Sequence, residues 1–151
     1  MATLGERSKI EWILKERFPL LKLEPFEVTS PEDYRYNCIA WAAGENSRVW
    51  WPFGSYWPAQ VARSTTVNAF IAAYRTHGYT PCNSRDVEVG VEKVAIYVGP
   101  DYQVLHAARQ LSDGRWTSKL GLYVDVAHTL TGLEGNEYGR VAQILMREKN
   151  D

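Results

Sequence analysis

The chain has 151 residues, a length typical of one domain, and its 45% hydrophobic and 23% charged content indicates a folded protein. Seventeen basic residues against 18 acidic ones leave a formal charge of -1. This balance argues against nucleic acid and anionic membrane as partners, because both require a basic surface.

The N-terminal residues lack the apolar core of a secretory signal, and no apolar run approaches the roughly 20 residues of a membrane span. We therefore expect a cytoplasmic protein whose two cysteines, Cys38 and Cys82, are reduced. Aromatic residues are unusually frequent at 13%, with six tryptophans and nine tyrosines.

The first half of the chain predicts helices. Three segments combine helical apolar spacing with plausible ends: residues 5–18, 38–43 and 65–78. Pro19 ends the first of them, and residues 21–30 are extended. Asn37 is a plausible N-cap for the second helix, and Gly44 would terminate it.

Residues 50–58, which we call the aromatic loop, contain five aromatic residues, two prolines and a glycine. This composition excludes a regular helix or a central strand. The loop either covers the core, which we favour, or uses Trp50, Trp51 and Trp57 as a wall of a substrate cleft.

The second half of the chain predicts strands at residues 92–98, 102–111, 115–119 and 140–146. Asp113-Gly114 is a hairpin signal between the second and third strands. Residues 122–133 are ambiguous and could form a short helix. We expect an α+β fold over residues 1–151, with N-terminal helices packed on a small antiparallel sheet.

Cys38 is the strongest candidate for chemistry. A cysteine in the first turn of a helix lies where free N–H groups favour the nucleophilic thiolate, although a cysteine in an apolar helix is commonly a core residue. His106 is the candidate base, and strand alternation groups it with Val104 and Ala108. It could equally be a half-buried histidine bonded to a carbonyl.

No single third catalytic residue is indicated. A two-residue Asp113-Gly114 loop places His106 opposite Gly121, so that Ser118 and Lys119 approach it only if the register shifts. Other groups that could orient the imidazole are Gln110 and Asp125.

Residues 36–41, YNCIAW, resemble the cysteine-bearing helix start of papain-like peptidases of the NlpC/P60 type. Residues 93–98 followed by residues 105–107 are similar to the strand pair of those enzymes. The resemblance implies a papain-like fold and cysteine hydrolase activity. However, Lys93 occupies the usual position of the base, and His106 matches the third, orienting position.

The chain also resembles a bacterial family that has no assigned activity. Its pattern is N-C-x-A-W, W-W-P, H-A-A-R-Q-L and W-T-S-K-L-G, and it extends over most of residues 34–147. This second resemblance implies no reaction.

The leading hypothesis is a cysteine hydrolase or acyl transferase acting on a peptide or a small amide or ester. Cys38 would attack the carbonyl, His106 would carry the proton, and Ser118 would orient the imidazole. The Cys38 backbone and the Asn37 side chain would stabilise the oxyanion. Substrate contacts would come from Trp50, Trp51, Trp57, Gln110 and Lys119.

Two alternatives remain: a non-catalytic binding module that uses the aromatic loop, and a toxin or effector domain. The sequence has no local metal-binding or nucleotide-binding motif, so we expect no metal or cofactor. A Cys38 sulfur close to His106 in an open cleft would favour the enzyme. A sealed sulfur, with His106 facing away, would favour the module.

Overall fold

The computed structural model of the chain describes residues 4–30, 35–120 and 123–149. The α-helices of this part are α1 (Leu4–Arg17), α2 (Cys38–Ala42) and α3 (Val67–Arg75). Its strands are β1 (Phe26–Ser30), β2 (Thr80–Cys82), β3 (Val91–Val98), β4 (Val104–Gln110), β5 (Trp116–Lys119), β6 (Asp125–His128) and β7 (Arg140–Glu148). Two short 3-10 helices span Pro19–Lys22 and Thr131–Leu133.

All seven strands form one sheet in the order β1-β6-β5-β4-β3-β7-β2, and every neighbouring pair is antiparallel. The apolar strand β3 lies between β4 and β7, where both of its edges are hydrogen-bonded. The outer strands β1 and β2 are short. Pro81 lies in β2, an edge strand, where its missing N–H leaves no ladder bond unmade.

Hydrophobic residues cover both faces of the sheet. The face that packs against α2, α3 and the aromatic loop, here called the α2 face, presents Val94, Ile96, Val98, Ala107 and Leu145. The opposite α1 face packs against α1 and presents Ala95, Tyr97, Ala108, Trp116 and Ile144. The helices are therefore distributed over two layers, one on each side of the sheet.

The expectation of an α+β fold with N-terminal helices on a small sheet is wrong, because a seven-stranded antiparallel sheet makes the fold β-rich. The papain-like architecture implied by the resemblance is wrong for the same reason. Among the described residues, no helix is long and apolar enough to cross a membrane.

Three strands account for the difference. Residues 21–30, expected to be extended, include β1, which pairs with β6. Residues 122–133, considered for a short helix, contain β6 instead. Residues 80–82, which contain Pro81 and for which the sequence predicts no strand, pair with β7. Short edge strands of this kind carry a weak local signal, because the neighbouring strand determines their conformation.

Asn37 joins α2 to the aromatic loop. Its side-chain oxygen caps α2 by accepting from the Ala40 backbone N–H at 3.1 Å. The same amide accepts from the Trp50 N–H at 3.0 Å and donates to the Trp50 carbonyl at 2.7 Å. The expected cap is confirmed, and the side chain also fixes the start of the aromatic loop.

We predict that Asn37→Ala destabilises the fold by about 3 kcal/mol, because it removes a helix cap and two further hydrogen bonds. Thr66→Ala is the matched control, since Thr66 caps α3 by accepting from the Ala69 N–H and its hydroxyl otherwise bonds, in the described part of the chain, only to the Ser64 hydroxyl two residues away. It should cost only about 1 kcal/mol. Urea unfolding of both variants measures the difference, and equal losses would contradict the role of Asn37 in holding the loop.

Candidate functional site

Cys38 is the first residue of α2 and lies inside the core of the α2 face. Only 7% of its surface is exposed. The same cluster includes Ala107 of β4 and the rings of Trp50 and Trp57, with Trp51 packed at its border. The sulfur is therefore covered by the aromatic loop and by the sheet.

Burial dominates the ionisation of this thiol and raises its pKa to about 11. Backbone hydrogen bonds and the charge of Lys119 act in the opposite direction but do not offset the burial. The activation expected at a helix N-terminus is outweighed, because α2 has only five residues and Cys38 is buried. At neutral pH the group is a thiol.

His106 lies on the other face of the sheet. It pairs with Tyr97 of β3 and stacks on Tyr138, with ring centroids 3.9 Å apart and planes inclined by 3°. Both tyrosines belong to the core of the α1 face. The next residue, Ala107, points to the α2 face and packs near Cys38.

The structure thus separates the two residues expected to form a catalytic pair. The sheet stands between Cys38 and His106, and the expected contact is absent. A bulge opposite Val98 also moves Val104 to the α2 face, away from His106, and exposes Leu105. The Asn37 amide is occupied by Ala40 and Trp50, so it is not available to an oxyanion.

His106 belongs instead to a buried chain of hydrogen bonds. Its Nε2 lies 2.8 Å from the Ser118 Oγ, which lies 2.7 Å from the His128 Nε2. The His128 Nδ1 is 2.6 Å from the Thr129 carbonyl, which can only accept. Ser118 is therefore in contact with the imidazole, as the sequence analysis considered, but on the face remote from Cys38.

The Thr129 carbonyl determines the donor and the acceptor in each hydrogen bond of this buried group. His128 donates from Nδ1, so its neutral Nε2 accepts from the Ser118 hydroxyl, and the serine oxygen accepts from the His106 Nε2–H. The His106 Nδ1 is then a bare acceptor, which agrees with its lack of a partner among the described residues. Both imidazoles are neutral in this arrangement.

Burial lowers the pKa of both histidines. The pKa of His128 falls to about 4, and that of His106 falls well below its usual value through burial and the neighbouring His128. Both rings and Ser118 are fully buried. The three side chains are thus a buried polar part of the core, hydrogen-bonded except at the His106 Nδ1 and without access for a substrate.

The aromatic loop contributes mainly to the core. Trp50 is fully buried and packs on Tyr74, and Trp57 packs edge-on against Phe70. Trp51 contacts the same phenylalanine and is half-buried. The structural role favoured for this loop fits these contacts, whereas a cleft wall would require the buried rings to be exposed.

Lys119 and Gln110, expected to bind substrate, are engaged within the protein. Lys119 is fully buried, donates to the Tyr123 carbonyl and lies 5.3 Å from the centre of the Tyr36 ring. Gln110 donates to the Arg85 carbonyl at 3.0 Å. Asp125, a further candidate to orient His106, lies beside Lys119 and accepts from the Tyr36 hydroxyl.

A group of polar residues that the sequence analysis did not identify lies at the end of α2. Gly44 follows this helix, and the guanidinium groups of Arg109 and Arg147 converge on it. Arg109 stacks on Trp41, and Arg147 stacks on Tyr79. We call Trp41, Tyr79, Glu92, Arg109 and Arg147 the arginine cluster. The one sequence signal that could have pointed to the cluster is strand alternation, which places Arg109 on the same face of β4 as Ala107.

We predict that the protein loses stability as the pH falls below 6.5. Neutral buried histidines make the unfolded state bind more protons than the folded state, so stability is present above pH 6.5 and declines towards pH 4. His106 and His128 should each change the free energy of unfolding by roughly 1.4 kcal/mol per pH unit in this window. Urea unfolding between pH 8 and pH 5 measures the slope.

His128→Gln should reduce this slope by about half. His77→Gln is the control, because His77 is only partly buried and lies outside the hydrogen-bonded group of His106, Ser118 and His128. Its pKa is lowered by burial and by Arg147. An unchanged slope in His128→Gln, or greater stability at pH 5 than at pH 7, would contradict the neutral assignment.

No curated protein and no solved structure matches the chain. Residues 27–146 match the family DUF7689, described as a domain of unknown function. The match begins in β1 and ends in β7, so it includes both faces of the sheet. The chain belongs to the DUF7689 family.

Proposed function

We propose that this protein is a non-catalytic binding module in which Cys38 is a core residue. The observation that carries the proposal is the position of the sulfur, sealed beneath the aromatic loop on the face opposite His106. A cysteine hydrolase needs a thiolate next to a base and open to substrate, and none of these three conditions is met at Cys38.

The energetics of the thiol support the same proposal. A group with a pKa of about 11 is almost entirely protonated at neutral pH, so its reactive fraction is on the order of one in ten thousand. A nearby imidazole could raise that fraction by accepting the proton, but the His106 ring packs against Tyr138 on the opposite face of the sheet.

The aromatic loop exposes little of its aromatic surface for binding a partner. Phe53 is 69% exposed at its tip, while the tryptophans of the loop pack inward. The arginine cluster is the more promising surface, because it combines the half-buried ring of Trp41 with two cationic side chains. Aromatic and arginine side chains are the residue types that most often dominate binding energies.

Cysteine labelling tests the proposal. In the folded protein at neutral pH, iodoacetamide should react with Cys82 at least roughly 100-fold faster than with Cys38, because the Cys38 thiolate is scarce and buried. Cys82 lies in the edge strand β2 and is partly exposed. Mass spectrometry of the two cysteine peptides measures both rates.

Cys82→Ser and Cys38→Ala provide the matched controls. The folded Cys82→Ser protein should remain unlabelled and should react fully in denaturant, whereas Cys38→Ala should label at the rate of the wild type. Preferential labelling of Cys38 in the folded protein would overturn the proposal and restore the hydrolase.

A further inference from the structure

We propose that the arginine cluster is a binding site for the oxyanion of a small ligand, a phosphate or a carboxylate group. It is formed where the guanidinium groups of Arg109 and Arg147 converge at the end of α2, and the Arg109 guanidinium has no hydrogen-bond acceptor among the residues that the structure describes. The inference rests on the proposed function and names the class of ligand for that module.

Arg109 supplies the first unused donors. Its guanidinium carbon lies 4.4 Å from the centre of the Trp41 ring, and the side chain is half-buried on the α2 face. It forms no hydrogen bond and no ion pair with any residue that the structure describes. A guanidinium has five N–H donors in a planar fork that matches phosphate and carboxylate oxygens. The stacked ring holds this fork in place without using its donors.

Arg147 brings a second guanidinium to the same place. The position that a Cβ of Gly44 would take lies 3.6 Å from the Arg109 Nη1 and 3.7 Å from the Arg147 Nη2. Arg147 donates to the His77 carbonyl at 2.8 Å and pairs with Glu92 at 3.4 Å. Glu92 balances one of the two charges and leaves one in excess. An anion between the guanidinium groups would remove their mutual repulsion.

Tyr79 is the independent observation that points to a ligand. Its side chain is fully buried beneath the Arg147 guanidinium, which lies 4.4 Å from the ring centre. Its hydroxyl has no hydrogen-bond partner among the described residues. A buried hydroxyl without a hydrogen bond is destabilising, so it calls for an acceptor that the described residues do not supply. Burial raises its pKa to about 12, which keeps the hydroxyl a donor at neutral pH.

Space for the rest of a ligand adjoins the cluster. A surface cavity of about 460 Å³ is lined by His77, Gly78, Thr80, Met146, Arg147 and Glu148. Arg147 belongs both to this cavity and to the cluster at Gly44. Glu148 is acidic and would repel a ligand with several negative charges. The site therefore favours a small ligand with one oxyanion next to a neutral body.

Calorimetric titration of the full-length protein tests the site with two probes, inorganic phosphate and acetate, each against chloride at the same ionic strength. We expect heat of binding for at least one of them in the wild type. Phosphate preference assigns a tetrahedral oxyanion, and acetate preference assigns a carboxylate. Arg109→Gln should weaken the binding at least about tenfold, since it removes the free guanidinium.

Two further variants keep the test sharp. Tyr79→Phe removes a hydroxyl that has no partner in the described part of the chain. Its melting temperature without anion should therefore equal or exceed that of the wild type, while its affinity for the anion falls several-fold. Arg140→Gln is the matched control, because Arg140 also stacks on an aromatic ring, Tyr102, but lies at the other end of β7.

Absence of binding above the chloride reference in the wild type would overturn the site. An equal loss in Arg109→Gln and Arg140→Gln would also overturn it, because it would reveal general charge attraction. If the anion titration fails, the result of the cysteine labelling still stands. If Cys38 labels rapidly and anions bind as expected, only the proposal of a non-catalytic module is rejected.

Discussion

Consecutive side chains of β4 point to opposite sides of the sheet, and this alternation divides the buried ones between the two hydrophobic cores. Ala107 packs against the layer that contains Cys38, while His106 packs against Tyr97 and Tyr138 on the other side. A small residue at position 107 lets α2 approach the sheet closely. The same strand therefore builds two separate cores and keeps the thiol and the imidazole apart.

The layer above Cys38 depends on Asn37. One amide caps α2 and bonds both backbone groups of Trp50, so the helix and the aromatic loop are positioned together. Trp50 then reaches Tyr74, whose hydroxyl donates to the Ile39 carbonyl at 2.9 Å. Nine of the 19 aromatic residues thus pack in the cluster that contains α2, and the arginine cluster lies at the end of this helix.

Local patterns predicted the α-helices, the cap at Asn37, and the strands at residues 92–98, 102–111, 115–119 and 140–146. They did not predict β2 or β6, because short strands are determined by the neighbours with which they pair. The hairpin register was wrong by one residue, since Gln110 pairs with Trp116 and the Leu111 N–H bonds to the Arg115 carbonyl, which leaves a three-residue loop at residues 112–114. Chain spacing carries no information about the face of a sheet, so it could not indicate that Cys38 and His106 lie on opposite faces.

The separation of Cys38 from His106 is the central claim, and the ionisation of the Cys38 thiol tests it most directly. Thiolate absorbance of the Cys82→Ser protein, followed from pH 5 to pH 9, should show no ionisation of Cys38 while the protein is folded. Replacement of His106 by asparagine should leave this result unchanged. A thiolate that forms below pH 8 and disappears in His106→Asn would contradict the account.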